Sequence, residues 1–113
     1  MVRENLQQMK VKIFNQYATK VAKLFDISEE ELFTKSKRRD IVDARQLLYY
    51  ACHKRPMPIV YIQAYLLKRG YKIGHTSILH GINAVDNRIV NDSDYTGILQ
   101  KIHAPKSKDN VHS

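Results

Sequence analysis

The 113-residue sequence holds one cysteine, no tryptophan, three prolines and four glycines. Cys52 alone cannot form an intrachain disulfide, so nothing in the chain requires an oxidising compartment. No apolar run approaches the ~18 residues of a membrane span, and the opening "MVRENLQQMK" lacks a signal peptide's apolar region. A cytoplasmic protein with no membrane partner is the resulting expectation. Two-residue hairpin signals and internal repeats are both missing, which removes the usual marks of a β protein or a solenoid. Phosphate-cradling G-x-x-x-x-G-K-[ST], metal-binding H-E-x-x-H and a convincing catalytic dyad are missing too, so no enzyme and no cofactor are expected.

Acidic residues are scarce relative to basic ones, 11 against 19, and the imbalance is local. Residues 34 to 75 carry Lys35, Lys37, Arg38, Arg39, Arg45, Lys54, Arg55, Lys68, Arg69 and Lys72 against only Asp40 and Asp43, while the remainder of the chain cancels. A concentrated excess of this kind suits a polyanion, because neutralising phosphates releases condensed counterions.

Apolar residues recur at helical steps throughout. Leu6, Met9, Ile13, Phe14, Tyr17, Val21, Leu24 and Phe25 form one stripe of a helix over 5 to 25. "SEEE" at 28 to 31 is a capping box that opens a short helix through Phe33. Asp40 reads as the N-cap of a helix running to Lys54, with Ile41, Ala44, Leu48, Ala51 and Cys52 inward. "RPMP" at 55 to 58 stops it, and Pro58 suits the first turn of the next helix, which Gly70 ends. A helix then starts near His75 with Ile78, Leu79, Ile82 and Val85 on one face, and a last one spans Asp92 to His103. The expected fold is all-α, a five- to six-helix bundle over residues 1 to 103 with a flexible polar tail over 104 to 113.

Two helices with a glycine-bearing turn between them, 58 to 69 and 75 to 90, fit a helix-turn-helix. A generic pair of bundle helices is the plainer alternative. The second helix opens with His75, Thr76 and Ser77, short polar side chains beside free backbone amides at the positive end of the helix dipole. His75 and His80 lie some 140° apart around a helix, so they cannot share a metal ion, and no metal site is expected. His80 is expected to be packed or bonded to backbone, and Cys52 to sit on an apolar helix face. "KSKRR", Lys35 to Arg39, is an exposed basic loop whose cations suit a narrow minor groove.

Together, "ELFTKSKRRDIVDARQLLYYA" (31 to 51) and "GHTSILHGI" (74 to 82) resemble the C-terminal DNA-binding domain of the bacterial replication initiators of the DnaA family. The resemblance covers roughly residues 10 to 103. It implies a Trp-repressor-like helix-turn-helix whose recognition helix opens Arg-Asp-His-Thr-Thr-Val-Leu-His-Ala. His75, Thr76, Leu79 and His80 match that run, Ser77 and Ile78 are close substitutions, and Gly81 stands at the alanine. Arg45-Gln46 match the family's Arg-Gln pair. By position, His75, Thr76, Ser77 and Lys37 are expected at bases, and Lys35, Arg38, Arg39, Arg45, Gln46, Lys54 and Lys72 at the DNA backbone. Ile73 and Gly74 depart from the family's Arg-Asp, and Gly74 removes an acceptor for cytosine. The stretch from Pro56 to Gly74 is a few residues longer than the family pattern. At 113 residues the chain leaves no room for the ATPase module that family members carry upstream.

The sequence thus predicts a non-enzymatic, sequence-specific binder of double-stranded DNA in replication or transcription control. Rival readings are a dimeric Trp-repressor-like regulator, a basic helical protein–protein adaptor, and an unselective coat for RNA or DNA.

Overall fold

The computed structural model describes residues 2 to 103, with side chains from Gln8 onward. Among these residues the secondary structure is helical: α1 Val2–Phe25, α2 Glu29–Leu32, α3 Arg39–Lys54, α4 Ile59–Lys68, α5 His75–Asn91 and α6 Asp94–His103. The expected all-α architecture is what forms. The expected tail at 104 to 113 lies outside the described residues, as does the side chain of Leu6.

Helix α3 is the central strut, packed against α1 on one side and α5 on another. Its Ala44, Leu47, Leu48, Ala51 and Cys52 are fully buried and meet Phe14, Ala18 and Val21 of α1 and Ile78, Ile82 and Val85 of α5 in one core. Burying the leucine, isoleucine, valine and phenylalanine side chains among these contributes roughly 1.5–3 kcal/mol each, which fixes α5 to the body of the bundle. Helix α6 closes the far end, where Lys20 Nζ of α1 donates to the Ile102 carbonyl at 3.0 Å.

The helix ends follow local chemistry. Ser28 Oγ accepts from the Glu31 amide and Glu31 Oε1 accepts from the Ser28 amide, both at 3.0 Å, completing the expected capping box. Gly70 has φ of 83° and ends α4. Its amide reaches the Leu67 carbonyl at 2.9 Å while the Tyr71 amide reaches that of Leu66 at 3.0 Å. This Schellman turn reverses the chain and drops Tyr71 back into the core. Helix α1 ends with the same two bonds around Asp26, at φ of 55°, a conformation that the sequence did not signal by a glycine.

Several expected details are corrected. Arg38, not Asp40, is the N-cap of α3. Asp40 lies inside the first turn, where the Arg38 guanidinium grips both its oxygens at 3.0 Å. Pro58 is the N-cap of α4 rather than a residue of its first turn. Helix α6 starts at Asp94, with the Asp92 carboxylate accepting the Asp94 amide at 3.0 Å. Met9, Leu24 and Leu79 are exposed, although each falls on a helical apolar stripe. His80 is exposed as well, rather than packed.

Candidate nucleic-acid interface

The pair α4 and α5 is joined by residues 69 to 74, and three interactions hold that turn. Gln63 Nε2 of α4 donates to the Ile73 carbonyl at 2.9 Å. Tyr71 is buried beneath the turn. Lys35 Nζ, reaching over from the loop before α3, donates to the Lys72 carbonyl. Helix α5 emerges from this turn with His75, Thr76 and Ser77 all exposed, while Ile78 is the first residue to point inward. No side chain caps its amino end, because Gly74 stands at the N-cap and has none to offer. The first-turn amides are left to solvent or to an external acceptor.

The basic loop is held against that turn by a second set of contacts. Arg45 was expected at the DNA backbone, and this is corrected: it is only 6% exposed. Its Nη1 donates to the Thr34 carbonyl at 2.6 Å and its Nη2 to the Ser36 carbonyl at 3.0 Å. A buried guanidinium must have its donors met by protein acceptors, and these two carbonyls take the Nη groups, so Arg45 clamps the loop. Lys35 and Arg45 also stand over the Tyr71 ring, 4.5 and 4.9 Å from its centroid. One aromatic ring is therefore shared by a cation from the loop and a cation from α3, and it belongs to the helix-turn-helix turn. The Tyr49 hydroxyl faces the same cluster, with burial pushing its pKa up, so it stays protonated.

The other expected contacts divide into free and engaged groups. Lys37 is exposed and makes no hydrogen bond or ion pair among the described residues. Arg39 is exposed and lies 4.0 Å from Asp43, a loose ion pair. Arg38 is held by Asp40 at 3.0 Å and by Glu31 at 3.5 Å, and the Arg38 guanidinium keeps the Asp40 carboxyl below its ordinary range. Lys54 is exposed at the carboxyl end of α3, 5.3 Å from the Tyr50 ring centroid. Lys72 is exposed on the turn itself. Gln46 is half-buried between α3 and α5, where its Oε1 accepts from Arg88 Nη2 at 2.8 Å, and Arg88 in turn reaches Asp43 at 3.2 Å. That bridge fixes the carboxyl half of α5 on α3.

Two positioning roles escaped the sequence reading, that of Tyr71 beneath the turn and that of Arg45 as a clamp. The signal for Tyr71 was its place directly after a C′ glycine, where the following residue commonly packs back onto the helix. Cys52 lies fully buried on the apolar face of α3, and burial raises its thiol well above the ordinary range, so it presents no thiolate. Among the described residues no group of three His, Cys, Asp or Glu could hold a metal ion. None of the described helices is long and apolar enough to cross a membrane.

A bundle that presents the exposed start of one helix beside a clamped basic loop has the arrangement of a helix-turn-helix module. The comparison with known families places it further. A family model described as "Bacterial dnaA protein helix-turn-helix" matches residues 16–85, more than half of the chain, and the chain belongs to that family. Among similar proteins is the chromosomal replication initiator protein DnaA of Gloeobacter violaceus, 32% identical over 79 residues. The matched segment is 67% of this chain but 16% of that relative, so the chain spans a small part of the relative's length. No solved structure matches the chain at a significant level.

Proposed function

We propose that this chain is a non-enzymatic, sequence-specific binder of double-stranded DNA. Helix α5 enters the major groove by its amino end, with His75 and Thr76 at base edges and Ser77 at a base or a phosphate. The loop of residues 35 to 39 lies along the flanking minor groove, with Lys37 directed into it. Arg39, Lys54 and Lys72 meet phosphates and position the protein, while the groove residues specify the site. Arg38 joins them when phosphate displaces its carboxylate partners. The role is control of replication or transcription at sites resembling those of the replication initiator, in competition with it.

A single observation supports the reading above others. The Lys35 ammonium bonds the Lys72 carbonyl, three residues before His75, so the basic loop and the start of α5 lie side by side. One duplex can touch both. A salt titration of binding to mixed duplex DNA tests this. Neutralising ~6 phosphates lowers affinity by ~10³ between 50 and 200 mM salt. Absence of duplex binding at low salt would overturn this reading and favour a basic protein–protein adaptor.

A further inference from the structure

We infer that base reading along α5 continues past its first turn, through His80 and Asn83, two specificity-determining side chains outside the opening triplet. This rests on the proposed reading of α5 as the major-groove helix and extends it. At 100° per residue, Thr76, His80, Asn83 and Asn87 fall within about 60° of one another around the helix axis. The buried residues Ile78, Gly81, Ile82 and Val85 occupy the opposite side. The line of four polar residues is thus the outermost ridge of α5, and all four side chains are exposed.

His80 and Asn83 are chemically unspent. Neither makes a hydrogen bond or an ion pair among the described residues, whereas Arg88 on the same helix is consumed by Asp43 and Gln46. A histidine ring can donate or accept at a base edge, and an asparagine amide pairs with the N6 and N7 of adenine. The positions also suit the groove. With a rise of 1.5 Å per residue, His80 lies about 6 Å and Asn83 about 10.5 Å beyond Thr76. Side chains three to four residues apart on a helix lying in the major groove meet successive bases, so those offsets correspond to roughly one and two further pairs. Asn87 is about 16 Å along, where a straight helix departs from the curved groove. Base reading therefore ends at Asn83.

The experiment is selection of bound sites from a random duplex library at one stated salt concentration, using the wild type, Thr76→Ala, His80→Ala and Asn83→Asp. Exposed positions leave the core intact, and equal unfolding midpoints of the four proteins verify it. The wild type is expected to enrich a defined motif that Thr76→Ala blurs at one position. His80→Ala should blur a neighbouring position, and Asn83→Asp should exchange an adenine preference for cytosine, each by about five- to a hundredfold. A motif unchanged in His80→Ala and Asn83→Asp, while Thr76→Ala alters it, overturns this inference and leaves the proposed function standing. Equal weakening on all sequences by these two variants overturns it as well. A wild type that enriches no motif removes sequence-specific reading itself, and the inference with it.

Discussion

Gly81 and Tyr49 meet where α5 crosses α3, and a Cβ on Gly81 would fall 2.8 Å from Tyr49 Cδ2 and 3.2 Å from Gln46 Cγ. The glycine sets how closely the proposed recognition helix approaches the bundle. Gly81→Ala gains up to ~1 kcal/mol of helix propensity but forces a buried ring or the helix itself to move. Overpacking of this kind costs about 1–3 kcal/mol, so a net loss of stability is expected in urea unfolding. A smaller loss in a Tyr49→Val background would locate the clash at that ring. A rise in the midpoint on Gly81→Ala alone would contradict the packing.

Arg45 acts through the loop it holds. Arg45→Met removes two charge-assisted bonds to the Thr34 and Ser36 carbonyls and leaves both acceptors without their partner. The expected cost is about 2–4 kcal/mol in thermal or chemical unfolding. Duplex affinity should fall as well, although Arg45 is buried, because the loop no longer lies against the turn. Undiminished affinity in a destabilised protein would separate the loop from binding.

Asp40 holds the Arg38 guanidinium that the proposed function assigns to phosphate. Asp40→Asn should release the guanidinium, tighten duplex binding and steepen the salt dependence by about one counterion. The pH response has a definite sign. Arg38 depresses the folded-state pKa of Asp40 below its ordinary 3.8. The pair's contribution is therefore present above that ordinary value and fades as pH falls through the lower, folded one. Acid titration of stability in wild type and Asp40→Asn should diverge only at that acidic end. An unchanged salt slope in Asp40→Asn would mean that Arg38 does not reach DNA.

Gly74 is not required by the fold. A Cβ there meets nothing within 4 Å, and the backbone φ of −84° is open to any residue. Gly74→Asp should cap α5 and raise stability by a few tenths of a kcal/mol. It should also place an acceptor at the groove and add a cytosine preference at one position of the selected site. Selection of the same site by both proteins would show that residue 74 does not face a base.

The helices were legible because their signals are local. Ser28 and Glu31, Gly70, and the inward residues of α3 are decided by neighbours in sequence, and the structure places them as the sequence implies. Asp40 misled because a strong cap former two residues beyond an arginine is captured by that arginine. Arg45 misled because a lone cation on a helix looks solvated until a distant loop supplies carbonyls. The exposure of Leu79 and His80 shows the width of the ambiguity at a stripe's edge, where coverage depends on tertiary neighbours. Of the candidate site, the opening of α5 and the basic loop could be read from sequence. Their adjacency was implied only by the family resemblance, since physically it depends on Lys35, Arg45 and Tyr71 converging across the fold.

Dimethyl sulfate footprinting on a selected duplex probes both grooves at once, guanine N7 in the major and adenine N3 in the minor. Protection of major-groove guanines should be flanked, within roughly five base pairs or half a helical turn, by protected minor-groove adenines. In Lys37→Ala only the adenine protection should disappear. Guanine protection with freely methylated flanking adenines, or adenine protection indifferent to Lys37→Ala, would contradict simultaneous engagement of one duplex by α5 and the basic loop.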